Sequence, residues 1–600
     1  MLYPVFNSHR GFIDLCGIWD FKIDTESNGE AAGWFRAPLA TPLPMPVPAS
    51  YNDIGQDPAL RDHIGDVWYQ RTLCVPIQMS AGRYELRFDA VAHHAVVWLD
   101  EQRLGEHQGG FLPFVFDVTT LIRPGQLHRI TVKVGNILDW KTFPPGEIRK
   151  PRDIENYPPG YRWQETHFDF FNYAGIFRPV RLVMTPETRI EKIKVITGFD
   201  ETSGWVDYSI NINKKSNVRI ALRNHEGQEI ACRSTTEGRL LVAAPRLWSP
   251  NDPYLYQLEC QLVDADGSIL DIYTERIGIR TVAVVGSKLL LNGTPIYLKG
   301  FGRHEDADVR GRGLDLTLLV KDHNLMEWIG ANSYRTSHYP YSEEAMRMAD
   351  ERGLLIIDEV PAVGFNTWRH DPVVYVPERA NDATLAAHLH TLSALIERDQ
   401  NHPSVIIWSV ANEAATWEPG AVPYFEKVCA HVRQLDSTRP VMIVEAGRAI
   451  AEPDRMPASL VTHLVDIVGI NRYYGWYNDP GRLDLMRHQL ERELRLWWSQ
   501  HHKPILLAEY GADAVDGLHS NPPQMFTEEY QAESLARVHE AIDSVDFVIG
   551  EHVWNFADFA TKQAPGRIFG NRKGVFTRNR HPKQAASLLR KRWHGAKDNR

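Results

Sequence analysis

Val405-Ile406-Ile407-Trp408-Ser409-Val410-Ala411-Asn412-Glu413-Ala414 is an apolar run that ends on a carboxylate. Further along, Ile505-Leu506-Leu507-Ala508-Glu509-Tyr510-Gly511 does the same. Each segment sets one glutamate just past the C-terminal end of a buried-looking strand. In a (β/α)8 barrel that is where catalytic residues sit. Two carboxylates on different strands facing one pocket suit glycosidic bond cleavage. A lone glutamate would read as a solvated loop residue. The second strand ending in Glu-Tyr-Gly changes that reading.

The surrounding sequence supports a barrel. After Thr281, Lys288 to Leu298 reads as a hairpin turned at Asn292-Gly293. Strands and helices then alternate. Leu318, Leu319, Leu325, Met326 and Ile329 form a helical stripe, followed by a strand over 331–334. Ser342 is placed to cap a helix running to Arg352 and stopping at Gly353. Strand 354–357 leads to Asp358-Glu359. Helix 385–398 precedes strand 405–410. Later strands fall at 465–470, 505–508 and 547–554. Repeated βα units over residues 282–600 predict a (β/α)8 catalytic domain.

The preceding sequence is β-rich. His128 to Val134 alternates apolar and polar, and Tyr84 to Phe88 does so less cleanly. Residues 1–185 predict a jelly-roll β-sandwich. Residues 186–281 contain strands such as Val206-Tyr208-Ile210-Ile212 and predict an immunoglobulin-like sandwich.

Bulk properties exclude several classes. The formal net charge of −10 argues against a nucleic-acid partner. No stretch approaches the roughly 20 apolar residues of a membrane span. Cys16, Cys74, Cys232, Cys260 and Cys429 are scattered, which suits reduced thiols. The N-terminal sequence lacks a signal-peptide pattern, so a cytoplasmic location is expected. The basic residues Arg590, Lys591, Arg592, Lys597 and Arg600 read as a solvated tail.

Polar and aromatic residues gather at other predicted strand ends: Arg335 and His338, Asp358 and Glu359, Asn471 with Tyr473 and Tyr477, and Trp554-Asn555. Several such groups on one barrel face predict a pocket. Arg303-His304-Glu305-Asp306-Ala307-Asp308 lacks metal-site spacing and reads as salt-bridged structure at the rim. Gly566 to Gly574 carries Arg567, Arg572 and Lys573 but does not match a phosphate loop. Its place after the eighth strand suits anion binding.

These segments together resemble glycoside hydrolase family 2, and within it the β-glucuronidases. The similarity rests on residues 301–308, Arg335-Thr336-Ser337-His338-Tyr339-Pro340, Asn401-His402-Pro403-Ser404, residues 471–477 and 554–559, and Leu247-Trp248-Ser249-Pro250. It implies that Glu413 is the acid/base and Glu509 the nucleophile. It implies that Asn412 holds the sugar 2-hydroxyl, and that Asn571 and Lys573 grip a glucuronate carboxylate with Arg567 nearby. His338, Asn471, Tyr473, Tyr477 and Trp554 match pocket residues, and Asp169 matches a residue that reaches in from the first domain. His167 stands one place early against the family pattern, which reverses side-chain direction in an extended segment. It is not carried over.

The expected activity is retaining, exo-acting hydrolysis of β-D-glucuronides, with the two carboxyls roughly 5–5.5 Å apart. The alternatives are a β-galactosidase or β-galacturonidase of the same family, or a non-catalytic carbohydrate-binding protein. No cofactor or metal is expected. A homo-oligomer, tetramer or dimer, is. The long segment 367–377 after the third barrel strand is expected to line the aglycone side.

Overall fold

A computed structural model describes all 600 residues except Ser80, Ala81, Arg152, Ile154, 367–372, 447–458 and 596–600. Its centre is a closed barrel of parallel strands: Leu298–Gly302, Ser333–Arg335, Leu355–Glu359, Val405–Ala414, Val441–Glu445, Ile467–Asn471, Ile505–Glu509 and Val548–Val553. Alternate residues fill the interior, among them Leu355, Ile357, Met442, Val444, Leu506 and Ala508. Their neighbours Ile356, Ile443, Ile505 and Leu507 belong instead to the apolar layer shared with the helices. Strands covered on both faces read as continuous apolar runs.

Two barrel strands depart from the sequence reading. The hairpin over 288–298 closes early: Lys288–Leu291 pairs on one side with Val282–Val285, and on the other its return strand is only Thr294–Pro295. Asn292 and Gly293 take positive φ at the turn, and Pro295 cannot extend the ladder because it has no N–H. Leu298 then opens the first barrel strand, pairing with Gly550 of the eighth. The fifth strand, Val441–Glu445, was not foreseen. Four apolar residues after a proline, Val441 to Val444, carry too little periodicity to mark a strand.

The predicted cap at Ser342 is present. Helix Glu343–Arg352 begins with the Ser342 side chain accepting from Ala345 N and ends at Gly353, φ 71°. Ser342→Ala is expected to cost about 1 kcal/mol, seen as an earlier midpoint in denaturant unfolding.

The jelly roll packs a four-stranded antiparallel sheet (Gly11–Asp14, Val180–Thr185, Arg83–Phe88, Phe114–Asp117) against a six-stranded one. The immunoglobulin-like sandwich sets Ile190–Phe199, Ser203–Ile212 and Glu237–Ala243 against four further strands. Val206, Tyr208 and Ile210 point into its core, as their alternation requires.

A jelly-roll hairpin, Gly146–Arg149 with Trp163–Thr166, leans on the barrel. Glu147 meets Arg379 at 3.2 Å and Glu165 meets Lys562 at 3.3 Å. Phe170 then bridges Thr561. Asp169 is thereby carried to the end of the barrel where the strands finish.

The basic C-terminal stretch is not a frayed tail through Gly595. It forms helix Gln584–Gly595. Arg592 bonds Asp543 and Glu551 at 2.8 and 2.7 Å, and Trp593 is buried with its Nε1 on Glu551. The apolar positions Ala585, Ala586 and Leu589 supply the docking face. Among the described residues no helix is long and apolar enough to cross a membrane.

Candidate active site

Glu413 lies near the end of the fourth strand, where pairing with the fifth is broken by irregularities around Asn412. Its φ of 54° is rare for a side-chain-bearing residue. Such conformations cluster at functional sites. Glu509 closes the seventh strand.

Glu509 is held from three sides. Arg335 Nη2 donates to Oε1, the Tyr473 hydroxyl donates to Oε2 at 2.6 Å, and His338 Nε2 lies 3.6 Å away. Arg335 is wholly buried and also donates to Glu359 at 2.7 and 2.9 Å. Burial alone would raise Glu359. Arg335 and His338 instead bring it down to about 2, so it stays ionised. One guanidinium thus spans two carboxylates.

Asn412 Oδ1 accepts from Arg335 at 3.3 Å and from Asn471 at 3.2 Å. With the oxygen taken, its NH2 is the part offered to a ligand. Glu413 has the opposite environment to Glu509. Burial, then the charge of Glu509, pushes it up to about 8, against the pull of Asn471 and Arg335. At neutral pH Glu413 therefore keeps its proton while Glu509 is braced by donors. A carboxyl that keeps its proton, set beside one gripped by an arginine and a tyrosine, is the pattern of acid/base chemistry.

A second cluster adjoins the first. Arg567 Nε donates to Asp169 at 2.8 and 3.2 Å, and Asn571 Nδ2 donates to Asp169 at 2.8 Å. Arg567 and Lys573 both reach the Tyr477 hydroxyl, at 2.8 and 3.0 Å. Lys573 is buried, pairs with Asp513, and sits over the rings of Tyr477, Trp476 and Tyr473. Tyr473 links the clusters: its hydroxyl is on Glu509 and its ring is 5.2 Å from Tyr477. Trp554 stacks on His338 at 5.1 Å. A Cβ at Gly302 would come within 2.5 Å of the Trp554 ring, so a glycine is required beneath it.

All twelve residues expected at the site lie in these two clusters. His167 does not; it lies by Glu147 and Glu165, and its Nε2 has no partner among the described residues. Arg572 turns away to Ile568 O and Asp558. Residues 303–308 form ion pairs, as read: Arg303 with Asp322 at 2.7 Å, Glu305 with Arg178 at 2.9 Å, and Asp306 with Arg578 at 2.5 Å. Asp513 was missed. It stands four residues beyond Glu509, and nothing local distinguishes it from a loop aspartate. Of segment 367–377, residues 367–372 lie outside the described residues. Val374 and Tyr375 donate their N–H groups to Glu418.

Three family descriptions match the chain in order: "Glycosyl hydrolases family 2, sugar binding domain" over 12–186, "Glycosyl hydrolases family 2" over 188–280, and "Glycosyl hydrolases family 2, TIM barrel domain" over 282–597. The chain belongs to glycosyl hydrolases family 2. This family 2 chain is 51% identical to a beta-glucuronidase of Paenibacillus borealis, with 99% of the chain and 98% of the relative covered. It is 42% identical to that of Homo sapiens, over 99% and 92%. The structure of a beta-D-glucuronidase of Dictyoglomus thermophilum superposes with a TM-score of 0.93 at 46% identity, covering 100% and 99%. A Ruminococcus gnavus beta-glucuronidase in complex with D-glucuronic acid gives 0.91 at 38%, covering 99% of each chain.

Proposed function

We propose that this family 2 chain hydrolyses β-D-glucuronides from the non-reducing end with retention of configuration. The observation that carries the reading is the junction at Tyr473. It joins a carboxyl pair, in which burial and a neighbouring charge raise Glu413, to a cradle of Arg567, Asn571 and Lys573 suited to a carboxylate. A neutral sugar has no use for such a cradle.

In the first step Glu509 attacks the anomeric carbon while Glu413 gives its proton to the departing glycosidic oxygen. Esterification removes the charge of Glu509, one of the two causes that raise Glu413. Glu413 then takes a proton from water as the water attacks the glycosyl-enzyme. Arg335, Tyr473 and His338 orient the nucleophile. Asn412 donates to the 2-hydroxyl, and Asn471 fixes its amide. Arg567, Asn571 and Lys573 hold the carboxylate, and Trp554 lines the pocket.

A panel of nitrophenyl glycosides tests this reading. Turnover should favour the β-glucuronide by orders of magnitude over the glucoside, galactoside and galacturonide. Preference for any of the other three overturns it. The pH profile provides a second check. Glu413 acts as an acid only while protonated, and its pKa stands near 8. On a substrate with a poor leaving group, kcat/KM should fall as pH rises through about 8. A basic limb that begins at pH 5 or below contradicts the assignment.

We also place the protein in the cytoplasm as a homo-oligomer, dimer or tetramer. All five cysteines are free, which supports a reducing compartment. The family resemblance supports the assembly, and light scattering in solution tests it.

A further inference from the structure

Each cation of the carboxylate cradle already has an acidic partner. Lys573 is paired with Asp513, and Arg567 with Asp169. The two pairs are not equivalent. Lys573 and Asp513 are almost wholly enclosed, with side-chain exposures of 1% and 2%. Asp513 is further tied by accepting from Arg572 N at 2.8 Å. Burial works against its charge, but Lys573 and Arg567 still hold its carboxyl below the usual range. Asp169 keeps 34% of its side chain exposed, and Arg567 16%. Both oxygens of Asp169 lie on donors of the cradle: Arg567 Nε reaches both, and Asn571 Nδ2 reaches Oδ2. A partly exposed ion pair is easily exchanged, whereas breaking an enclosed one is costly.

Resting on the glucuronidase reading, we propose that Asp169 is a built-in stand-in for the substrate's carboxylate. It occupies Arg567 and Asn571 in the empty pocket, keeps their donors aimed, and yields them when a uronate enters. Asp513 stays in place and positions Lys573. The entering carboxylate therefore exchanges with a like group and does not meet disordered cations. A neutral sugar has nothing to exchange and leaves Asp169 where it is. Asp169 thus acts as a specificity-determining residue whose presence weakens uronate binding in return for a preorganised site.

The test is competitive inhibition by free D-glucuronate and by D-glucose against a nitrophenyl glucuronide, at constant ionic strength. Asp169→Asn removes the competing charge and keeps the shape. Its Ki for glucuronate should tighten about tenfold, the scale of one modest ionic competition, while the Ki for glucose holds. Asp513→Asn should do the reverse and weaken glucuronate. Arg567→Ala and Asn571→Ala report on the underlying reading. If they leave the glucuronate-to-glucose ratio unchanged, the cradle is not the carboxylate site and both ideas fail. If they lower the ratio but Asp169→Asn weakens glucuronate, or moves both sugars equally, the cradle stands and the stand-in role is overturned. Thermal midpoints of all four variants separate binding effects from loss of fold.

Discussion

Glu509→Ala is expected to abolish glucuronide turnover, by on the order of 10⁴-fold or more, because no other group occupies the position from which it attacks. Glu413→Ala should behave differently. General acid help contributes about 10²–10⁴-fold, but a dinitrophenyl leaving group needs little of it. The loss should therefore be large on alkyl glucuronides and small for formation of the glycosyl-enzyme from activated ones. Added azide should speed Glu413→Ala by attacking the glycosyl-enzyme without a base, releasing a glucuronyl azide. Equal losses across leaving groups with no azide effect would remove Glu413 from the acid/base role.

Lys573→Ala should cost a glucuronide about 2–5 kcal/mol, the scale of a broken buried charge pair. Two terms act in one direction. The substrate carboxylate loses a cation, and Asp513 is left enclosed without its partner, so the two anions repel. Any weak glucoside activity carries only the second, smaller disturbance and should change far less. Arg572→Ala should be mild, because that side chain points to Ile568 O and Asp558. A Lys573→Ala enzyme that still prefers glucuronide over glucoside would falsify the carboxylate assignment.

The parts of this molecule legible in the sequence are those whose physics is local. The Ser342 cap and the Gly353 stop are written within one helix. The alternation of Val206, Tyr208 and Ile210 shows which face is buried. Glu413 and Glu509 announce themselves by ending apolar strands. Pairings made across the fold have no such signature. Arg335 was placed at the pocket, but its bridging of Glu359 and Glu509 depends on three strands closing into one barrel. Asp513 is chemically ordinary until Lys573 arrives from a loop sixty residues later. The terminal helix was misread because basic composition suggested solvent, whereas Arg592 and Trp593 are committed to Glu551. The site residues beyond the two glutamates came from family resemblance, since an isolated Asn, Tyr or Trp at a strand end has no spacing of its own to betray it.

Asp169 meets Arg567 and Asn571 across 398 and 402 positions of chain. Protein synthesis runs from one end, and domains fold as they emerge. The jelly roll is thus complete long before the cradle it serves exists. No nascent chain possesses the uronate pocket until translation has passed position 573. A chain stopped just after the eighth strand, at Val553, carries both β-sandwiches and all eight barrel strands, yet none of Arg567, Asn571 and Lys573. Premature release therefore yields fragments that are inert toward glucuronides, and the onset of activity in a translation time course dates the moment at which the two ends of the molecule meet.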